Sequence, residues 1–310
     1  MPVQCRIDLS RKTPPMLAYR HAFHAGNHAD VLKHLVLAQV LRYMAGKGKP
    51  FRYIDTHAGA GGYQLKGQQA QKKAEYREGI GRLWSRADLP PALADYVQLV
   101  QQFNLQPGED GAPPVLEKGM TPPLALYPGS PSLASMLLSP ADKMHLYELH
   151  PADARTLAAH FGGEKRTRIA QEDGFAALKK ELPPTPRRAV VLMDPSYETA
   201  GDYGKVVAAL REAVQRFAEG VYCVWYPQVS RVEAVQLPKR LTGLAPKGWL
   251  HVRLTAAQPD AQGFGLVGSG MFILNPPYTL HQTLAEVMPY LVEVLGQFED
   301  ASYLIEEQPA

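Results

Sequence analysis

Residues 189–197, Ala-Val-Val-Leu-Met-Asp-Pro-Ser-Tyr, bring an acid, a proline and an aromatic ring to the end of a short apolar run. Asp194 supplies a carboxylate acceptor, Pro195 a carbonyl acceptor and Tyr197 a flat ring. Such a set suits an exocyclic amino group on a planar base, whose N–H groups the acceptors take while the ring stacks on the base. An adenine amine is such a group. Its nitrogen lone pair is delocalised into the ring, so acceptors that favour a pyramidal amine would localise that pair for attack on an electrophilic methyl. A strand ending in an ordinary Asx turn would carry the same residues. The other strand ends have to decide between the two.

The run itself is short, rich in valine and flanked by polar residues, which predicts a buried parallel strand. Ligands of open α/β sheets gather at the carboxyl ends of the strands, so Asp194 and Tyr197 are placed at a site. The tip resembles the Asp/Asn-Pro-Pro-Tyr/Phe motif of amino methyltransferases. A second strand, Phe51-Arg52-Tyr53-Ile54, runs into Asp55-Thr56-His57-Ala58-Gly59-Ala60-Gly61. In this Asp-x-x-x-Gly-x-Gly turn, Gly59 and Gly61 let the backbone approach a ligand where Cβ atoms would clash. The third glycine and the lysine of phosphate loops are missing, which disfavours NAD or ATP and suits S-adenosylmethionine, whose sulfonium-bearing tail carries no phosphate. Glu148, after Met144-His145-Leu146-Tyr147, is the candidate ribose acid. Asp173, after Thr167-Arg168-Ile169-Ala170, is placed to accept from the cofactor's adenine amine.

Further elements complete the reading. A helix capped by Asn27 or Asp30 runs through Arg42, with Gly46 and Gly48 past its end. Residues 64–126 form a helical insertion (Lys72 to Trp84, then Pro90 to Phe103, then a Pro/Gly-rich loop), and Tyr127-Pro128-Gly129-Ser130-Pro131 marks the return to the core. Helices at about 153–161, 203–217 and 230–241 and strands at about 221–225, 251–255 and 271–274 complete a seven-stranded mixed sheet. Asn275-Pro276-Pro277-Tyr278 matches the amine-binding motif better than residues 194–197 do. It is expected to end the last strand at the antiparallel edge, away from the cofactor, and so not to be the catalytic motif.

Composition sets the bounds. With 310 residues, 45% hydrophobic and 20% charged, the chain can bury one large core or one core with an inserted subdomain over residues 16–310, after a loose tail at 1–15. No apolar run is long enough to span a bilayer and the N-terminus lacks a signal-peptide core, so a cytoplasmic protein is expected. Cys5 and Cys223 suggest neither a disulfide framework nor a thiolate metal site. The net charge of +3 fits a nucleic-acid partner. Basic clusters at Lys47/Lys49/Arg52, Lys72/Lys73, Lys165/Arg166/Arg168, Lys179/Lys180 and Arg187/Arg188 could track phosphates or simply be solvated. His21, His24, His28 and His34 invite a metal reading, but no HExxH pattern accompanies them, and hydrogen-bonding roles near a ligand are expected instead.

Together with these strand tips, Tyr19-Arg20-His21, His24-Ala25-Gly26-Asn27-His28-Ala29-Asp30-Val31-Leu32-Lys33-His34, Tyr127-Pro128-Gly129-Ser130-Pro131, Glu148-Leu149-His150-Pro151 and Asp173-Gly174-Phe175 resemble the RlmJ family of bacterial 23S ribosomal RNA adenine-N6 methyltransferases. The resemblance covers residue 16 to the C-terminal region. It implies a Rossmann-like class I fold with a small helical insertion, S-adenosylmethionine as donor with S-adenosylhomocysteine as product, and one N6-methylated adenosine in large-subunit rRNA. Carried over by motif, it implies cofactor contacts at His34, His57, Ser130, Glu148, Asp173, Gly174 and Asp194, with Lys33, Asp55, Gly59 and Gly61 in the same set. It further implies Asp194 as catalytic acceptor and Tyr19 as a contact to substrate RNA; no obligatory protein partner is evident in the sequence, and a monomer is expected. Ser196 stands where the family has a second proline. The acceptor carbonyl of Pro195 survives that change, while proline's fixed φ is lost. The competing readings are a DNA adenine methyltransferase, a histidine-metal hydrolase and a noncatalytic RNA-binding module. Methyl transfer to DNA or rRNA, metal content and cofactor binding would separate them.

Overall fold

The computed structural model describes residues 21–65, 74–105 and 119–309. The strands are β1 (Arg52–Asp55), β2 (Gly62–Gln64), β3 (Leu126–Pro128), β4 (Lys143–Tyr147), β5 (Thr167–Ala170), β6 (Ala189–Met193), β7 (Val221–Gln228), β8 (Trp249–Thr255), β9 (Gly268–Leu274) and β10 (Ser302–Gln308). Eight of them form one sheet in the order β10-β8-β9-β7-β6-β1-β4-β5, and β2 pairs with β3 in a separate antiparallel ribbon. The β5, β4, β1, β6 and β7 strands are parallel, whereas β9, β8 and β10 join by antiparallel ladders.

The expected seven strands are thus eight. The additional strand, β10, pairs along its whole length with β8, but its residues are exposed except for Leu304 and Ile305, which are half-buried. An exposed edge strand carries little of the apolar alternation that would announce it. A second correction follows from the order. The strand before Asn275, β9, lies inside the sheet between β7 and β8, not at its edge.

Alternate side chains enter two cores. Ile54, Val191 and Met193 point into one with Leu210, Leu237 and Phe272, and Tyr53, Val190 and Leu192 into the other with Leu35, Leu133 and Leu291. In the second layer, the helix α1 (His28–Gly46) starts where Asn27 accepts from the amides of Ala29 and Asp30, as the sequence suggests. Its apolar residues circle the axis, and Val31, Leu32, Leu35, Val36, Leu37, Val40 and Leu41 are all completely buried. Such a helix needs cover on every side. The sheet and the helices Ser130–Leu137 and Leu280–Leu295 supply part of it, and the insertion helix Pro91–Phe103 the rest, with Leu93, Tyr96, Val97 and Val100 in the same core.

Of the expected mostly helical stretch from Lys72 to Trp84, Lys72 and Lys73 lie outside the described residues, and the rest holds a 3-10 turn, Glu75–Glu78, and a short helix, Ile80–Leu83, parted at Gly79. A Cβ there would sit 2.1 Å from the carbonyl oxygen of Gly26, so the chain passes too closely for any other residue. Among the described residues no helix is long and apolar enough to cross a membrane.

Candidate active site

Strand β6 is paired on both sides, with β1 and β7, and buried throughout. Pro195 has no N–H for a ladder, so the chain leaves the sheet directly after Asp194. The Asp194 carboxylate meets Lys33 from α1, with Nζ 2.6 Å from Oδ2. Lys33 Nζ also lies 2.9 Å from Asp30 Oδ1. Asp30 Oδ2 in turn accepts from the amide of Gly26 and lies 2.9 Å from His21 Nε2. Burial opposes the charge on Lys33, yet the carboxylates of Asp194 and Asp30 hold its pKa well above the usual lysine range. Burial likewise opposes ionisation of Asp30, but His21 and Lys33 hold its pKa well below the carboxylate norm. The result is a buried line of alternating charge from the start of α1 to the β6 tip.

One strand over, Asp55 ends β1 completely buried. Its Oδ2 accepts from Tyr53 Oη at 2.7 Å and Ser130 Oγ at 2.6 Å, and its Oδ1 accepts from the His57 amide at 3.2 Å. Burial raises its pKa to about 6 against these donors. The glycine turn follows, with Gly59 at φ +61 and Gly61 at φ +82, a region that favours glycine. The amide of Gly59 donates to Glu148 Oε2 at 2.8 Å, and the amide of His150 donates to Glu148 Oε1 at 2.7 Å. Glu148 is therefore fixed by backbone, and its carboxylate keeps lone pairs for a diol. Gly61 is held in turn, since its carbonyl accepts from the Gly129 amide and from Ser132 Oγ.

Asp173 caps the helix Gly174–Glu181, with Oδ1 accepting from the amides of Phe175 and Ala176. A Cβ at Gly174 would lie 2.0 Å from the Thr56 carbonyl oxygen, so only glycine lets this helix start against the β1 tip. His57 packs edge-on against Phe175 with ring centroids 4.7 Å apart, and burial lowers its pKa to about 4, leaving it neutral.

The structure thus gathers Lys33, Asp55, His57, Gly59, Gly61, Ser130, Glu148, Asp173, Gly174 and Asp194 at adjacent strand ends. His34 stands apart inside the insertion layer. Its Nδ1 lies 2.9 Å from Tyr127 Oη, which lies 2.7 Å from Tyr96 Oη. Its buried Nε2 has no hydrogen-bond partner among the described residues. Burial and the neighbouring Lys33 lower the pKa of His34 well below the norm, so it too is neutral.

Tyr197 departs from the expected stacking role. The residue is only 4% exposed, its hydroxyl donates to the Trp225 carbonyl at 2.6 Å, and its ring packs on Tyr203 with centroids 4.6 Å apart. At φ +51 the backbone turns this ring into the core, where it anchors the loop and offers no open face. Tyr19 lies outside the described residues. Sequence reasoning overlooked Asp30 as more than a cap, although Asp30, Lys33 and His34 share one face within the run from Ala29 to Ala38 that is otherwise apolar. That polar interruption was the available signal. Nothing local marked Trp225, whose ring lies 5.5 Å from Lys33 Nζ.

The motif Asn275-Pro276-Pro277-Tyr278 lies at the opposite end of the sheet, because β9 is antiparallel to β7 with Leu274 opposite Tyr222. Asn275 Nδ2 donates to the carbonyls of Ala218 and Gly220, at 2.8 and 2.6 Å, which makes it a brace. The histidines also separate. His24 pairs with Glu75 at 2.9 Å, while His21 and His34 serve the networks above. Of the basic clusters, Lys72/Lys73 lies outside the described residues. Arg52 binds Glu181, and Arg188 donates to the Met44 and Lys49 carbonyls at the end of α1.

Comparison with known proteins agrees with this geometry. The family model for ribosomal RNA large subunit methyltransferase D, RlmJ, matches residues 48–305. The chain belongs to the RlmJ family. It is 43% identical over 276 residues to ribosomal RNA large subunit methyltransferase J of Escherichia coli K12, covering 89% of this chain and 93% of that protein. It is 41% identical over 291 residues to the Haemophilus influenzae protein of the same name, covering 94% and 98%. Among solved structures, a Legionella pneumophila protein superposes with a TM-score of 0.79 at 33% identity, covering 91% of this chain and 98% of that one. RlmJ membership accounts for the class I methyltransferase architecture, with an eighth strand closing the sheet at β8.

Proposed function

We propose that this protein transfers a methyl group from S-adenosylmethionine to the N6 amine of an adenosine in 23S ribosomal RNA. The observation that carries the reading is the Asp194 carboxylate at the tip of the central strand, beside the Asp55–Gly61 turn and held by Lys33. The curated relatives, named ribosomal RNA large subunit methyltransferases, support the rRNA substrate.

The residues fit the donor. Backbone amides anchor Glu148, Asp173 keeps one carboxylate oxygen beyond its cap, and the turn at Gly59 and Gly61 adds no basic side chain. Carboxylates with no phosphate-binding lysine suit a ribose diol, an adenine amine and a cationic sulfonium. When bound, S-adenosylmethionine supplies an electrophilic methyl. Glu148 would accept from the ribose hydroxyls, Asp173 from the donor's adenine amine, and Ser130 would keep Asp55 oriented below the turn.

Toward the substrate, Asp194 and the Pro195 carbonyl accept from the target amine. Lys33 occupies Asp194 Oδ2, so Oδ1 is the oxygen aimed at the substrate. Holding a pyramidal amine leaves its lone pair directed outward, and fixed acceptors need no reorganisation during the reaction. The target base has to leave its stack to arrive here, which a single-stranded or bulged context makes easier. We take residues 16–310 as one catalytic domain that acts as a monomer.

The test is methyl transfer to unmodified 23S rRNA transcripts, with N6-methyladenosine mapped by mass spectrometry in rRNA from wild-type and deletion strains. Loss of one N6-methyladenosine in the deletion strain, and loss of transfer with modest change in donor affinity for Asp194→Ala, are expected. An unchanged rRNA map, or transfer to DNA instead, would overturn the proposal.

A further inference from the structure

The sheet is electrically polar from edge to edge. At its carboxyl edge stand Asp55, Glu148, Asp173 and Asp194. The opposite edge is a single line, because Trp249, Leu274, Val221, Ala189, Arg52, Lys143 and Thr167 begin or end seven neighbouring strands in near register. Exposed cations flank five of the seven: Lys247 before β8, Arg187 before β6, Lys47 and Lys49 before β1, Lys143 opening β4, and Lys165 before β5. Three of the basic clusters of the sequence, at residues 47–52, 165–168 and 187–188, are brought into this row by the topology, which adds Lys143 and Lys247. Several described acids near this edge have partners: Glu181 has Arg52 and His145, Glu164 has Arg166, Glu219 has Arg187 at 3.8 Å, and on β10 Glu306 and Glu307 lie 3.3 and 3.9 Å from His251 and His281. Asp142 accepts from the Phe51 amide and from Ser139.

The row has an aromatic member. Tyr278 is 79% exposed, yet it sits on a rigid mount, with Asn275 braced by two carbonyls and two prolines between. Its ring meets Tyr43 edge-on at 5.6 Å, and Lys47 Nζ lies 4.4 Å from the Tyr43 ring and 5.5 Å from that of Tyr278. Ordered aromatics beside cations, presented to solvent, fit nucleic acid, where phosphates take the lysines and an unpaired base takes the ring.

We infer that this edge is a second RNA-binding surface, on which Lys47, Lys49, Lys143, Lys165 and Lys247 follow the phosphate backbone of an rRNA segment remote from the target adenosine and Tyr278 stacks on one of its bases. From β8 to β5 the row spans roughly 29 Å, six strand spacings. Along β6 it is separated from Asp194 by roughly 17 Å, the rise of five residues, so a short RNA held at the catalytic edge does not reach it.

The inference rests on rRNA being the substrate, and the experiment separates the two. Binding of an unmodified 23S rRNA transcript is measured over a series of salt concentrations for wild type and for a variant with these five lysines changed to glutamine. Loss of these contacts lowers the slope of log affinity against log salt by roughly 3 to 4 and weakens binding at 0.1 M salt at least about tenfold. Tyr278→Ala weakens binding about fivefold, while both variants keep wild-type kcat on a short methylatable fragment. The five-arginine variant retains slope and affinity. If the glutamine variant does not fold, the pairs Lys47→Gln/Lys49→Gln and Lys143→Gln/Lys165→Gln each lower the slope by about 1.5. A wild type that methylates the transcript while the variants bind with its slope and affinity overturns the edge assignment alone. A wild type that neither binds nor methylates the transcript overturns both.

Discussion

Replacing Lys33 with methionine tests the buried charge line most directly. The substitution keeps much of the side-chain volume and removes the ammonium that lies 2.9 Å from Asp30 and 2.6 Å from Asp194. Asp30 is then a buried carboxylate facing Asp194 with only His21 and the Gly26 amide to offset its charge. Removing one member of a buried ion pair costs about 3–5 kcal/mol, because the remaining charge is stranded. For a chain of this length about 2 °C accompanies each kcal/mol, so Tm should fall by roughly 6 to 10 °C at pH 7. The pH dependence has a definite sign. In the wild type Asp30 has a depressed pKa, so its stabilising contribution is present above the unfolded value and lost as pH falls through the folded one. In Lys33→Met that depression is relieved, protonation of Asp30 becomes easier, and the gap to wild type narrows on moving from pH 7 to pH 5. Thermal melts of both proteins at the two pH values measure this. A drop below about 2 °C, or a gap independent of pH, would show that Lys33 does not sit between two buried carboxylates.

Other expectations are simpler. Asn275→Ala should keep methyl transfer per folded molecule but lose about 1–3 kcal/mol in urea unfolding, since two backbone carbonyls lose their donor; loss of catalysis with intact stability would instead mark the motif as the site. Ser196→Pro should keep or raise kcat in a single-turnover assay, because a second proline stiffens the loop that presents the Pro195 carbonyl. A large loss of rate would show that the loop adopts another geometry. His57→Gln should flatten the acid limb of the stability curve. A histidine with pKa lowered from 6.5 to about 4 contributes stability above pH 6.5 that is lost as pH falls toward 4, up to about 3 kcal/mol, and chemical unfolding across that window reads the difference.

The parallel half of the sheet was open to reading because its strands end in acids, and that order survives in sequence as Asp55, Glu148, Asp173 and Asp194. Local chemistry also announced α1, whose cap at Asn27 and stop at Gly46–Gly48 are set by neighbouring residues. What failed depended on partners far along the chain. The buried ring of Tyr197 is fixed by a bond to Trp225, and β10 by a ladder to β8, and neither has a local signature. Asn275 misled for a related reason. Its motif has the right residues, but an antiparallel β9 carries them to the wrong end, and strand direction is decided by pairing.

The burial of α1 on all sides from Ala29 to Ala38 has an evolutionary and practical consequence. Residues 91–103, although spliced into the chain between the glycine turn and β3, cover α1 along the flank where Gln39 donates to the Ala92 carbonyl and Arg42 approaches Asp95. Excising this segment would bare an oily helix to water, and the same helix carries Lys33 to the Asp194 carboxylate. Engineers seeking a minimal enzyme would therefore have to redesign that helix surface before trimming anything, and natural shortening of the loop faces the same barrier.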